Sequence, residues 1–387
     1  MKTEEIKIAF VGDLYLKEGI HPSFKGEEYL HSMNLVIANL EGPILKDVAT
    51  KPAKKVGASL YQSREIFNFA RELNIKAVAC ANNHIFDYEE KGLFQTLESL
   101  DENGIDHFGA GVNEDAARKP YKVNKSKVFI VNAAEEEFGT SKGKNPGYYG
   151  LYSQSLNEEI KQIANKGNTV IAVIHGGGEM YPFPSLSFVE KAKELIDFGA
   201  SLVVGHHSHV PFGYQRYKNG YIYYGLGNFF HSFYRESVGL VLAITLEKGK
   251  LTRLETKKVR QRGAILSIED LDIKLKSNLE IFNEVITEID QLDLVLDRQA
   301  KDMFDAHYRD YFGRIFLSKT SDFINREKRD REAKDALLLL HLLVNKTHLE
   351  FCVRAIESSY LRIRKVDKGL SRKYKTLKKY INRSIKR

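Results

Sequence analysis

The stretch IKAVACANNHIFDYEEKG, residues 75–92, decides how the chain is read. It begins as a short apolar run and ends in residues with a helical pattern. Between the two stand Asn83, His84 and Asp87. A short apolar run that gives way to polar residues and then to a helix reads as a buried strand reaching its end. The polar residues at that junction have two readings. Asn83 can cap the helix with Asp87 as a first-turn acid favoured by the helix dipole, or the three residues can belong to a reaction centre.

The same design recurs along the chain. IKIAFVGD (6–13), LVIANLEG (35–42), NTVIAVIHGGGE (168–179), ASLVVGHHSH (200–209) and GYIYYGLGNFF (220–230) each read as an apolar strand with polar residues at its C-terminal end. REIFNFARELN (64–74) and EKGLFQTLESLDENG (90–104) read as helices, the second ended by Gly104. Strands alternating with helices predict an α/β fold. GLVLAITLEKGKLTRLETKKV (239–259) predicts an antiparallel hairpin turning at Lys248 to Lys250. Farther on the text becomes helical and poor in Gly and Pro, so the reading divides the chain into an α/β domain at 1–262 and an all-α region at 266–387.

The polar residues at the strand ends form a set: Asp13; Asn39 and Glu41; Asn83, His84 and Asp87; His175 and Glu179; His206, His207 and His209. In α/β sheets, ligands gather beyond the carboxyl ends of the strands, so these groups are expected to converge. Carboxylates, imidazoles and an amide oxygen suit divalent ions such as Mn²⁺, Fe²⁺ or Zn²⁺. Taken singly, each has a plainer reading. Asp13 can cap a turn after Gly12, and His175 can be a structural histidine. His207 and His209, two apart on a loop, can each point at a different ion. The order of the whole set favours the metal reading.

That order carries a family resemblance. VGD, NLEGP, ANNHxxDY, HGGGE, GHHSHV and YGLGNF, spread from about Lys7 to Val259, resemble the CapA-type capsule and poly-γ-glutamate biosynthesis family, a branch of the calcineurin-like metallophosphoesterases. The resemblance implies a metallophosphoesterase-like α/β sandwich holding two divalent ions. Asp13 would bind the first ion, Glu41 would bridge both, and Asn83 and His175 would bind the second. His207 would complete the second site and His209 the first. Asn39, Glu179, His206 and Asn228 would stand behind the ligands or contact substrate. A water bridging two such ions is deprotonated near neutral pH, and the ions clamp the phosphate oxygens. His84 would protonate the leaving group, with Asp87 fixing its tautomer.

Two departures set expectations. Tyr15 stands where wider phosphoesterases have a histidine, so the first metal site is expected to be a ligand poorer. Gly176 stands where the family usually has Trp, so the site is expected to lack a wall there.

The implied function is phosphoester hydrolysis in capsule or exopolymer biosynthesis, on a phosphorylated or polymer-precursor substrate. One alternative is a non-catalytic accessory subunit for polymer assembly or export. Another is a hydrolase of polyglutamate-like amide bonds.

Composition bounds the rest. At 387 residues, 43% hydrophobic and 28% charged, the chain has the make-up of a globular protein. Cys80 and Cys352 alone exclude a disulfide framework and favour reduced thiols in the cytoplasm. The start MKTEEIKIAFVGD reads as a first strand rather than a signal peptide. The longest apolar run elsewhere, ALLLLHLLV (336–344), is short of the roughly 18 to 20 residues needed to cross a bilayer. The net charge of +8 sits in residues 360–387, which hold twelve Lys and Arg against Asp367. There Ile363, Val366, Leu370, Tyr374, Leu377, Ile381 and Ile385 recur at helical spacing. This basic amphipathic helix is expected to pack on the helical region or to lie on an anionic membrane at the inner face. Nucleic acid is the least favoured partner.

Overall fold

The computed structural model describes residues 5–124, 126–309, 336–361 and 366–386. Strands are numbered β1 to β17 in chain order. The first sheet runs β2 (Ser23–Lys25), β17 (Ile265–Glu269), β16 (Lys250–Arg262), β15 (Glu236–Glu247), β1 (Glu5–Tyr15), β3 (Leu35–Leu40), β4 (Ile75–Ala79) and β5 (Asp106–Phe108). A further strand, β14 (Asn228–His231), pairs in parallel with the C-terminal end of β1. The second sheet runs β12 (Tyr214–Tyr217), β13 (Gly220–Tyr223), β11 (Ala200–His206), β10 (Thr169–His175), β8 (Val128–Ala134) and β7 (Tyr121–Lys122). A small ribbon joins β6 (Ala110–Gly111) to β9 (Gly147–Tyr148).

The apolar runs are continuous because both faces of these strands are buried. In β1, Ile8 and Phe10 face one core with Ile130, Ile171 and Val204 of the second sheet, while Ala9 and Val11 face another. That other core is closed by helix Ile66–Glu72 through Phe69 and Ala70, and by helix Glu89–Glu102 through Leu93 and Leu100. Helices Gln154–Asn165 and Leu186–Asp197 pack on the second sheet through Leu156, Ile160, Phe188 and Leu195. The result is an α/β sandwich layered helix–sheet–sheet–helix, the layering the resemblance implied. The expected hairpin is β15 with β16, its two turn residues Lys248 and Gly249 both at positive φ (51° and 78°), as a tight hairpin turn requires.

The first sheet continues past the expected boundary at 262, because β17 pairs with both β16 and β2. Helices follow at Ile273–Thr287, Ile289–Met303, Lys346–Tyr360 and Lys368–Ser384. They share the central core through Phe282, Leu296, Phe351 and Leu377. Polar contacts fix the docking. Gln299 bonds both the N–H (3.0 Å) and the carbonyl (2.6 Å) of Phe183. The Glu350 carboxylate accepts from the N–H groups of Leu186 and Ser187 (both 2.9 Å), capping helix Leu186–Asp197 from another part of the chain. Leu370, Tyr374, Leu377, Ile381 and Ile385 of the basic helix are buried in this core, so the apolar stripe that a membrane surface would need is covered by the protein itself. Ile363 lies outside the described residues. No single helix among the described residues is long and apolar enough to cross a membrane.

Gly12 lets the site form. A Cβ there would stand 1.8 Å from the Gly227 carbonyl oxygen, which accepts from the Asp13 N–H at 2.9 Å. Only a residue without a side chain lets the chain before β14 approach β1 beside Asp13. Gly12→Ala should therefore destabilise the fold by about 3 kcal/mol, the upper end for overpacking a core. Urea denaturation measures this, and an unchanged midpoint would contradict the close approach.

Candidate metal centre

The carboxyl ends of β1, β3, β10 and β11 meet across the two sheets. Asp13 is fully buried at this meeting point. Its Oδ1 accepts from the Asn39 side-chain amide (2.9 Å) and lies 3.1 Å from His206 Nδ1, and its Oδ2 accepts from the backbone N–H of His207 (3.2 Å). Asn39 also lies 3.3 Å from His175 Nδ1, and His175 Nε2 lies 3.0 Å from Asn83 Oδ1. His207 and His209 both have positive φ (87° and 55°), a conformation a non-glycine residue holds only at a cost. The turn aims both rings inward, 4.8 Å between the His175 and His207 centroids and 6.2 Å between His207 and His209.

Glu41, just beyond β3, is the centre of the cluster. It is fully buried, and neither carboxylate oxygen receives a well-directed hydrogen bond. Burial would raise its pKa, but His209, His231 and His84 outweigh burial and hold it well below the usual carboxylate range. Burial likewise works against the His209 imidazolium, while Glu41, Glu179 and Asp13 together hold it up to about 9. Burial, aided by the neighbouring His207, keeps His175 neutral. A buried carboxylate without hydrogen bonds needs a compensating cation. The donors fit one: ligand atoms of Glu41, His175 and His207 lie within 4.8 Å of one another, and so do those of Glu41, His209 and His231.

The remaining expected residues are here as well. His209 Nδ1 is 2.9 Å from Asn228 Oδ1, which turns Nε2 toward Glu41 Oε1 (3.7 Å) and Glu179 Oε1 (3.6 Å). His84 lies at the rim, its Nδ1 2.8 Å from Asp87 Oδ2. The cap reading of Asn83 and Asp87 is corrected. Residues 83–88 form turns, and the helix starts only at Glu89 after a Tyr88 that makes no side-chain cap. Asp87 is instead fully buried, accepting from the Leu60 N–H (2.7 Å) and paired with Lys55.

Lys55, His231, Glu137, His341 and His348 went unread in the sequence. They line, with His84, His207 and His209, a cavity of about 490 Å³ over the cluster. His231 ends the strand NFFH, and the strand-end rule that found the other residues would have found it. Lys55 sits in an irregular segment with no periodicity to mark it. His341 and His348 come from the helical region, outside the resemblance. The expectation of a missing wall at Gly176 is also corrected. A Cβ there would lie 2.5 Å from Glu135 Cγ, and helix Lys346–Tyr360 packs beside it, with Phe351 against Gly178 and Thr347 Oγ1 on Glu135 (2.6 Å). That space is occupied.

The bacterial capsule synthesis protein PGA_cap family model matches residues 7–232, more than half of the chain. The chain belongs to that family. It is 29% identical over 248 residues to the capsule biosynthesis protein CapA of Bacillus anthracis, covering 59% of this chain and 60% of that protein. It is 28% identical over 217 residues to the PGA biosynthesis protein CapA of Bacillus subtilis (strain 168), covering 54% and 55%. A "Probable polyglutamine synthesis accessory protein" of Mycobacterium tuberculosis is 29% identical over 165 residues, covering 39% and 43%. The chain thus matches only part, at most 60%, of the length of these relatives. Among solved structures, TT1561 of Thermus thermophilus aligns with TM-score 0.32 and 11% identity over 65% of this chain and 98% of that one.

Two buried carboxyls, Glu137 in the cavity wall and Glu135 beside it in the chain, make stability depend on pH. Burial pushes Glu135 up to about 7 and Glu137 up to about 8, the latter against the opposing charge of Lys55 and with Asn345 and His341 as neighbours. The folded chain keeps these protons to a higher pH than the unfolded chain, whose carboxyls titrate near 4.5. Their contribution is therefore full below pH 4.5 and is lost as pH rises through 7 to 8, at up to about 1.4 kcal/mol per pH unit per group. Glu137→Gln should melt higher than the parent chain by a margin that grows from pH 5 to pH 8.5. Thermal melts across that range check it, and a constant margin would contradict the raised pKa.

Proposed function

We propose that the chain is a metal-dependent phosphoester hydrolase acting on a phosphorylated or polymer-precursor substrate in capsule or exopolymer biosynthesis. The observation that carries this reading is His84, a partly exposed histidine at the rim of the metal cluster, tied at Nδ1 to the buried Asp87. A metal site that only stabilised the fold would have no use for such a proton carrier. The names of the relatives, capsule biosynthesis and PGA biosynthesis, support the polymer context.

Glu41, His175, His207 and His209, with Asn83, would hold divalent ions such as Mn²⁺, Fe²⁺ or Zn²⁺, which supply Lewis acidity toward phosphoryl oxygens. The chain's own groups do the rest. Asp87 accepts from the Nδ1–H of His84, so the protonated ring would meet the leaving-group oxygen through Nε2–H, give up the Nε2 proton as the ester bond breaks, and remain as the neutral Nδ1–H tautomer. Lys55 balances the Asp87 charge and lies 3.1 Å from His84 Nδ1. Asn39 and His206 hold Asp13, which in turn holds the His207 turn.

A second reading, a non-catalytic accessory subunit, draws support from Tyr15 in place of an imidazole and from the Asp13 oxygens being engaged by hydrogen bonds. Hydrolysis of a bis-aryl phosphodiester by Mn²⁺-loaded protein separates the readings. His207→Ala should lose metal and turnover together. His84→Ala should keep metal and lose about 10² to 10⁴-fold in rate, the usual contribution of a general acid. Full turnover in His84→Ala would remove its assigned role. Turnover of a γ-glutamyl peptide without phosphodiester turnover would transfer the site to amide hydrolysis.

A further inference from the structure

We propose that His231 is a metal ligand, and that Glu41, His209 and His231 form a second cation site beside that of Glu41, His175 and His207. The inference rests on the metal-binding reading above but not on hydrolysis. It changes two expectations drawn from the sequence: the first site is not short of a ligand, and Asp13 serves it as a positioning residue.

Register brings His231 to the place. β14 runs parallel to β1 with Tyr15 opposite His231, and the two rings lie 5.1 Å apart. The imidazole that β1 does not offer at Tyr15 is offered by the neighbouring strand. His231 is 2% exposed, packed among the rings of Tyr15, His209, Phe233 and Tyr234. Gln261 clamps its backbone, accepting from the N–H at 2.9 Å and donating to the carbonyl at 3.3 Å.

The geometry is that of two ligands aimed at a shared point. His231 Nε2 stands 3.3 Å from Glu41 Oε2, yet that oxygen receives no well-directed hydrogen bond. The groups are close but not aligned on each other. His209 keeps a proton on Nδ1 for Asn228, so Nε2, which stands 3.7 Å from the other Glu41 oxygen, is the atom that would exchange its proton for an ion. One donor atom from each of Glu41, His209 and His231 lies within 4.8 Å of the others, and ligands about 2.0 to 2.2 Å from a tetrahedral ion are about 3.3 to 3.6 Å apart, so a modest inward shift would seat all three on one ion. Two imidazoles and a carboxylate suit a borderline divalent cation, zinc above all, with one position left open. The ligating tautomer puts the His231 proton on Nδ1, which gives up only a 3.4 Å contact from the Phe233 N–H, at the long end for a hydrogen bond. Asp13 has its oxygens turned to Asn39, His206 and the His207 N–H, and its place is to hold the surrounding turn.

Counting ions tests this without substrate. The full chain, stripped with chelator and titrated with Co²⁺, should take up two ions per chain by calorimetry and elemental analysis. Each should add visible bands from a nitrogen-ligated centre. His231→Ala and His231→Gln should bind one ion, with the bands of the other gone. His209→Ala should lose the same ion. That loss exceeds the roughly 10- to 100-fold weakening expected if His231 only supported a ligand from behind. Equal melting of the metal-free proteins shows that the variants fold. Two ions with parental affinity and spectrum in both His231 variants would overturn the assignment, as would a single ion in the parent that both variants keep. Absence of phosphodiester turnover bears only on the hydrolase reading, because the ions are counted in its absence.

Discussion

The buried carboxylate of Asp13 fixes how the two sheets meet. It lies in register with Asn39 on one side and Asn228 on the other within the first sheet, and its oxygens reach the His206 ring and the His207 N–H of the second. A buried charge of this kind is tolerable only while every partner stays in place. A one-residue slip of β1 would turn Asp13 to the other face, leave the charge unpartnered and move the floor of the site. The approach of Gly227 to Gly12 follows from the same demand, since β14 must come alongside at the residue before the carboxylate.

Around this anchor the molecule accepts local cost. His207 and His209 hold left-handed backbone, and Glu41 sits without hydrogen bonds among imidazoles. Strained backbone and a buried carboxylate without hydrogen bonds mark places where a fold is arranged for something other than its own stability. A cation held in the cluster would compensate the carboxylate and add its binding free energy to that of folding.

What could be read in the sequence was what repeats. Strands buried on both faces write themselves as continuous apolar runs, and each such run here ended in the polar residues that the fold brings together. Asp13, Glu41, His175, His207 and His209 were legible for that reason. Lys55 was not, because a loop lysine acquires meaning only from the Asp87 it meets across the fold. His341 and His348 follow no strand, and the rule that exposed the others does not reach them. A cap was one of the two readings of Asn83 because a helix follows, but the backbone spends residues 83–88 in turns, and Asn83 faces His175. At Gly176 the sequence showed a lost side chain, while the volume it would have filled is taken by residues far along the chain.

The helix Lys346–Tyr360 gives the molecule a division of labour that can be put in terms of inheritance. The groups suited to chemistry are encoded between Asp13 and His231, whereas part of the cavity roof, His341 and His348, is encoded more than a hundred residues later. The two stretches share the central core at Phe351, and polar contacts, chiefly Glu350 on Leu186 and Ser187 and Thr347 on Glu135, fix how they meet. Mutation in the later stretch can reshape what the cavity admits while every residue of the histidine and carboxylate cluster stays as it is. The shape of the cavity and the make-up of the cluster beneath it are thus open to separate variation within one reading frame.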